Sequence, residues 1–149
     1  MRARVQTQPF DPAAELEGFG AGAGAIVTFT GVVRDDTGSM AALELEHYPG
    51  MTERAMEGHG DTAARRFDLI DWRIVHRHGR LRVGESIMMV ATAARHRQAA
   101  FQAADFLMDW LKSRAPFWKR EIGQDGSARW VAAKDSDESA LDRWQSMPR

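Results

Sequence analysis

The chain has 149 residues and a formal net charge of −1, from 20 Lys and Arg against 21 Asp and Glu. This is enough for one domain with a sizeable core, and too balanced for a uniformly basic nucleic-acid binder. There is no cysteine, which excludes disulfides, thiolate metal ligands and thiol nucleophiles together, and the apolar runs at 26–33 and 87–94 are far too short to cross a bilayer.

The first residues lack the apolar core of a signal peptide, so a cytoplasmic protein without membrane contact is expected. Residues 2–8 alternate loosely, as an edge strand would. Asp11-Pro12 is a helix start, with Asp as N-cap and Pro at the first helical position. The helix is short because a run of four alternating glycines follows, from Gly18 to Gly24. No glycine falls where a dinucleotide fingerprint needs its third one, and the run precedes a strand, so a flexible connector is expected. Residues 25–33 are rich in β-branched side chains and read as a buried strand with Phe29 inward and Arg34 at its end. Residues 35–38 are a turn, and 43–48 alternate as a half-exposed strand that Pro49-Gly50 breaks.

Thr52 can cap a helix that runs to about Phe67, weakened by Gly58 and Gly60. Residues 69–78 and 85–94 read as two strands joined through Gly79 and Gly84, the second central because it is almost wholly apolar. Residues 97–112 carry the strongest helical spacing, with Phe101, Ala104, Met108 and Leu111 as its buried stripe. Pro116 stops that helix, and residues 117–122 and 128–133 form a hairpin around Gln124-Asp125-Gly126. The acidic tail after Lys134 is expected to be loosely held. Strands that pair locally, interrupted irregularly by helices, indicate a single α+β domain over 1–149 with a mixed, mostly antiparallel sheet.

The stretch from Met108 to Glu121 carries the chemistry. Lys112 ends the helix beside its buried stripe. On the strand beyond Pro116, Phe117, Lys119 and Glu121 share a face. The turn can therefore bring both ammonium groups into one cationic pocket, with apolar walls from the neighbouring aromatic residues. Nearby cations and burial both lower a lysine pKa, whereas a helix C-terminus raises it, so either lysine could act as nucleophile, base or anion binder. Arg95-His96-Arg97 opens the strong helix without a Ser, Thr, Asp or Asn cap, which leaves N–H donors for an anion. Arg34 and Arg129 could complete a cationic rim. His76 and His78 share a strand face but lack a third metal ligand at convincing spacing, and read as core or surface histidines; no metal or resident cofactor is expected.

Four motifs resemble one known family: Phe29-Thr-Gly31-Val-Val-Arg34, Leu45-Glu-His47-Tyr-Pro-Gly-Met51-Thr-Glu53, Ile74-Val-His76-Arg-His-Gly79 and the long stretch from Met108 to Glu121. They are similar to the large, catalytic subunit of molybdopterin synthase, over about residues 26–131. The resemblance implies an α/β hammerhead and a homodimer within a heterotetramer. The other partner would be a small ubiquitin-like sulfur carrier ending in a Gly-Gly thiocarboxylate. The implied reaction moves sulfur twice from that tail to cyclic pyranopterin monophosphate, forming the molybdopterin dithiolene. Carried over residue by residue, the resemblance makes Lys112 and Lys119 catalytic. It assigns Phe29, Arg34, His96, Arg97, Met108 and Arg129 to substrate binding. The chain departs from the family at Val32, where many relatives carry Lys, in a shorter loop at 35–42, and at Arg95, where a small residue is usual. Two other readings of the residues stand beside it: a non-catalytic module binding a nucleotide or other anion, and an interaction protein whose groove captures a partner's C-terminal tail.

Overall fold

In β4 (Asp71–Arg77) and β6 (Ser86–Ala94), alternate residues feed two separate cores. Trp72, Ile74, Met88 and Val90 pack with Met56 and Ala63 of α2 (Met51–Phe67) and with Phe106, Leu107 and Leu111 of α3 (Arg97–Ser113). On the opposite face, Val75, Met89, Ala91 and Ala93 pack against Phe19. This is the period-two pattern of a sheet covered on both sides. β1 (Ala3–Gln6) adds parallel to β4, and β2 (Ala25–Val32) adds antiparallel to β6, for an order β1-β4-β6-β2. A second sheet, wholly antiparallel in the order β5-β3-β7-β8, is formed by β3 (Met40–His47), β5 (Gly79–Arg82), β7 (Phe117–Gly123) and β8 (Ala128–Val131). Its own core is Val33, Leu43, Leu45 and Leu81. The computed structural model describes residues 1–131 and 135–146, and the architecture is an α+β hammerhead. Among the described residues no helix is long and apolar enough to cross a membrane.

Several expectations hold. β1 is an edge strand, Asp11 caps α1 (Pro12–Glu15) through Ala13 N–H, and the C-terminal hairpin forms about the expected turn. Its expected last residues, 132–133, lie outside the described residues. Others change. β2 is an edge strand of the first sheet, not a buried one, so Ile26, Phe29 and Val32 are 41–51% exposed despite their composition. Between β4 and β6 the chain leaves for the second sheet as β5, because Leu81 is buried in that sheet's core opposite Leu43. The buried stripe of α3 is Ala100, Ala103, Ala104, Leu107 and Leu111. Phe101, one residue round from that stripe, is 59% exposed.

The glycine run is not a slack connector. Gly20 has φ +68°, and a Cβ there would sit 2.8 Å from Ala93 Cβ, so the close turn needs glycine and lays Phe19 on the sheet. The acidic tail from 135 is also not loose: it forms α4 (Asp135–Ser146), which packs on α3. Trp144 is buried there and its indole N–H donates to Asp109, while Arg143 pairs with Asp105 and Asp109. The cap of α2 likewise differs from the Thr52 expectation. Gly50 is the N-cap, its N–H donating to Glu53 at 3.2 Å, and Thr52 is buried one step inside.

Two substitutions separate the roles of the α2 glycines. A Cβ at Gly60 would meet the Trp72 ring at 2.2 Å, whereas none lies within 4 Å of one at Gly58. Gly60→Ala is expected to lose about 1–3 kcal/mol of stability in urea titrations, and Gly58→Ala to gain about 0.5–1 kcal/mol from reduced unfolded-state entropy.

His59 of α2 stacks between Phe106 and Trp110, each ring centroid 4.6 Å away, and burial lowers its pKa to about 4. The unfolded chain therefore binds this proton from pH 6.5 downward while the native chain does not, so stability falls as pH drops through 6.5 to about 4. The urea midpoint is expected to decline across that window, and to decline less in His59→Phe.

Candidate functional site

The site is built where α3 ends and β7 begins. Arg114 N–H and Ala115 N–H both donate to Trp110 O, at 2.8 and 3.1 Å, which closes the helix one residue before Pro116. The turn is pinned from behind by Thr52, whose hydroxyl lies 2.9 Å from Tyr48 O and 3.4 Å from Pro116 O and accepts from Tyr48 N–H at 3.1 Å. Met108 and Lys112, four residues apart on α3, then project to one side, and Phe117, Lys119 and Glu121 of β7 project toward them.

Lys112, Phe117, Lys119 and Glu121 line a cavity of about 490 Å³, in the size range of small-molecule sites. A smaller adjoining recess, about 70 Å³, shares Lys112 and Lys119 as its lining cations, with Met108, Phe29, Val32, Ile87 and His76 as walls. Carboxylates line only the larger cavity, from Asp36, Glu121 and Asp137. Two of these are engaged: Asp36 with Arg34 at 2.8 Å, and Glu121 with Arg129 at 2.7 Å. Lys112 is exposed and Lys119 half-buried, so both ammonium groups are open to an incoming anion, while two of the nearby carboxylates are already paired with arginines.

Of the residues singled out by the sequence, Lys112, Lys119, Phe29, Arg34 and Met108 meet in this cavity and its adjoining recess. Arg129 stands opposite Glu121 on the same face of the β7–β8 ladder, two residues before Val131, which lines the cavity; its side chain is 76% exposed at the rim. His96 and Arg97 are elsewhere. They are exposed at the start of α3, and the helix rise places Arg97 about 22 Å along the axis from Lys112. His96 has no side-chain cap contact, as its sequence suggested.

The aromatic residues of the long motif divide. Phe117 is a cavity wall, Trp110 stacks on His59 in the helical layer, and Trp118 lies on the outer face of the sheet against Tyr48 at 4.7 Å. Arg114 and Arg120 also point away, to Glu138 and Glu44.

His76 is the wall residue that reasoning from sequence set aside as a core or surface histidine. It is 4% exposed and stacks on Phe117 at 3.8 Å. Burial pushes its pKa down to about 3; the Arg77 carbonyl acts against this, and Lys119, His47 and Lys112 add to it. The available signal was alternation: Trp72, Ile74 and His76 share a face of β4, and only the last is polar. His47 and His78 pack together at 4.4 Å. Among the described residues no group of three His, Asp or Glu side chains is arranged to hold a metal ion.

Comparison with known proteins agrees with this geometry. A family model described as MoaE protein matches residues 5–114. The molybdopterin synthase catalytic subunit of Cereibacter sphaeroides is 60% identical, over 97% of this chain and all of that protein. Among solved structures, the molybdopterin biosynthesis MoaE protein of Burkholderia ambifaria superposes with a TM-score of 0.81 at 49% identity, covering 96% of this chain and 97% of that one. Molybdopterin synthase of Staphylococcus aureus gives 0.79 at 30% identity, over 86% and 95%. The fold is thus shared with a molybdopterin biosynthesis MoaE protein and a molybdopterin synthase. The chain belongs to the MoaE protein family, that of the molybdopterin synthase catalytic subunit.

Proposed function

We propose that the cavity transfers sulfur from the C-terminal thiocarboxylate of a small ubiquitin-like carrier subunit to cyclic pyranopterin monophosphate, in the cytoplasm. One observation carries the reading: Lys112 and Lys119, from different elements, line the same recess beside apolar walls. A phosphate and a thiocarboxylate both need cations, and a pterin ring needs flat apolar contact. The absence of cysteine fits a chain whose sulfur is brought by another protein. That the relatives are named catalytic subunits supports a second kind of subunit.

In this reading Lys119 binds and polarises the thiocarboxylate, and Lys112 assists as base or as acceptor of the tail's acyl group. Each transfer breaks the acyl carbon–sulfur bond of one tail and makes a carbon–sulfur bond on the substrate, where one carbon–oxygen bond breaks and its oxygen leaves as water or stays on the phosphate. The acyl carbon passes to the Lys112 amine or to water, the latter restoring a carboxylate. Arg34, Arg129, Phe29 and Met108 hold phosphate and pterin. The decisive assay combines the chain, thiocarboxylated carrier and cyclic pyranopterin monophosphate, and measures dithiolene product. Lys112→Ala is expected to lose about 100-fold or more in rate while still binding the carrier. Wild-type turnover by that variant would sink the catalytic assignment. Binding of both ligands by the wild type without product would favour the anion-binding module.

In this reading a homodimer within a heterotetramer forms, and His96 and Arg97 take part in transfer as groups that one copy presents to the other copy's cavity. Co-expressed Lys112→Ala and Arg97→Ala chains should then recover about one quarter of wild-type activity through mixed dimers, because half the dimers are mixed and each of those holds one intact site. No recovery from two inactive variants would show that Arg97 does not complete the other copy's site.

A further inference from the structure

We propose that His76 is a positioning residue, whose Nε2 lone pair accepts a hydrogen bond from the Lys119 ammonium and aims that cation at the incoming carboxyl group. The inference rests on the lysine cavity being the transfer site. Three features of the ring carry it. His76 Nδ1 lies 2.8 Å from Arg77 O. A carbonyl oxygen only accepts, so Nδ1 bears the hydrogen, and the neutral ring keeps its free lone pair on Nε2. The ring plane is fixed by stacking on Phe117, with an interplanar angle of 18°. The same ring lines both the cavity and its adjoining recess, although the residue is 4% exposed.

Phe117 and Lys119 are two apart on one face of β7, so the ring that holds the imidazole stands beside the amine it serves. The charged and titratable groups acting on His76 are Lys119 of β7, Lys112 of α3 and His47 of β3, none of them an anion. Its partners in the sheet, Val5 and Met88, are apolar. In such surroundings the imidazole stays neutral and keeps its acceptor. Lys119 shares the cavity with Lys112, Arg34, Asp36, Glu121 and Asp137. Removing a fixed acceptor lowers the pKa of the ammonium it served.

The experiment measures pH–rate profiles of the complete system with wild type, His76→Phe and His76→Gln. Phe keeps the stacking volume without the lone pair, and Gln offers a carbonyl oxygen near the Nε2 position. His76→Phe is expected to lose about tenfold or more in kcat with KM little changed, and its lysine-dependent limb should move to lower pH, whereas His76→Gln should stay within about threefold of wild type. A folded His76→Phe enzyme with wild-type kcat and an unmoved profile overturns the proposal. So does an equal loss in both variants with no shift in profile. A second readout needs no change at His76: nitrogen NMR of the imidazole in the isolated chain. On Lys119→Met the Nε2 resonance should move toward that of a free lone pair, and an unmoved resonance overturns the contact. If the wild type makes no product, the transfer reading itself fails, while the NMR result still decides the His76–Lys119 bond.

Discussion

The hinge point of the molecule is the junction at Pro116, where a helix of the first layer hands the chain to a strand of the second sheet. Two lysines seven residues apart could diverge by many ångströms on either side of such a break. They converge because the junction is held on both sides. Leu107 and Leu111 anchor the end of α3 in the main core, and Thr52 ties the turn to the entry of α2. β7 then continues in register with β3, Lys119 opposite Leu45. Each anchor is an ordinary packing or backbone interaction; their combination makes one recess from two elements.

That recess gains its electrostatic character from segregation. Acidic groups line the larger cavity, and Arg34 and Arg129 engage two of them. The smaller recess is walled by apolar side chains apart from the lysines and a neutral buried histidine. The lysines are therefore left to meet a ligand's negative charge, and the paired charges beside them can be displaced or joined by it. α4 also contributes: it docks Trp144 and Arg143 on α3, and its Asp137 lines the larger cavity.

What sequence reading missed has a common physical origin. Exposure of β2 depends on how many strands flank it, and no property of residues 25–33 records that only β6 does. The departure of β5 to the second sheet is decided by where Leu81 finds a core, a contact distant in sequence. Ala104 and Leu111 are buried on α3 as expected, but Phe101 is not, because alanines, which carry little hydrophobic signal, line the start of the helix's contact face at Ala100 and Ala103. All three aromatic residues of the motif were expected as pocket walls, yet Trp110 and Trp118 serve other surfaces, because packing between layers sets which side of helix and strand meets the cavity.

The sequence by itself determined the elements and the local directions of their side chains. Periodicity, caps and Pro116 are properties of neighbouring residues, so the strong helix, the hairpin, and the shared face of Phe117, Lys119 and Glu121 could be read directly. It also carried the family, through a motif long enough to be specific. Only the tertiary structure decided which of the candidate cations meet. Lys112, Lys119 and Arg34 share a cavity, whereas His96 and Arg97 stand at the far end of the same helix. It also turned His76 from a core residue into a wall of the site. Such meetings depend on contacts between residues distant in the chain, which only the packed layers bring together.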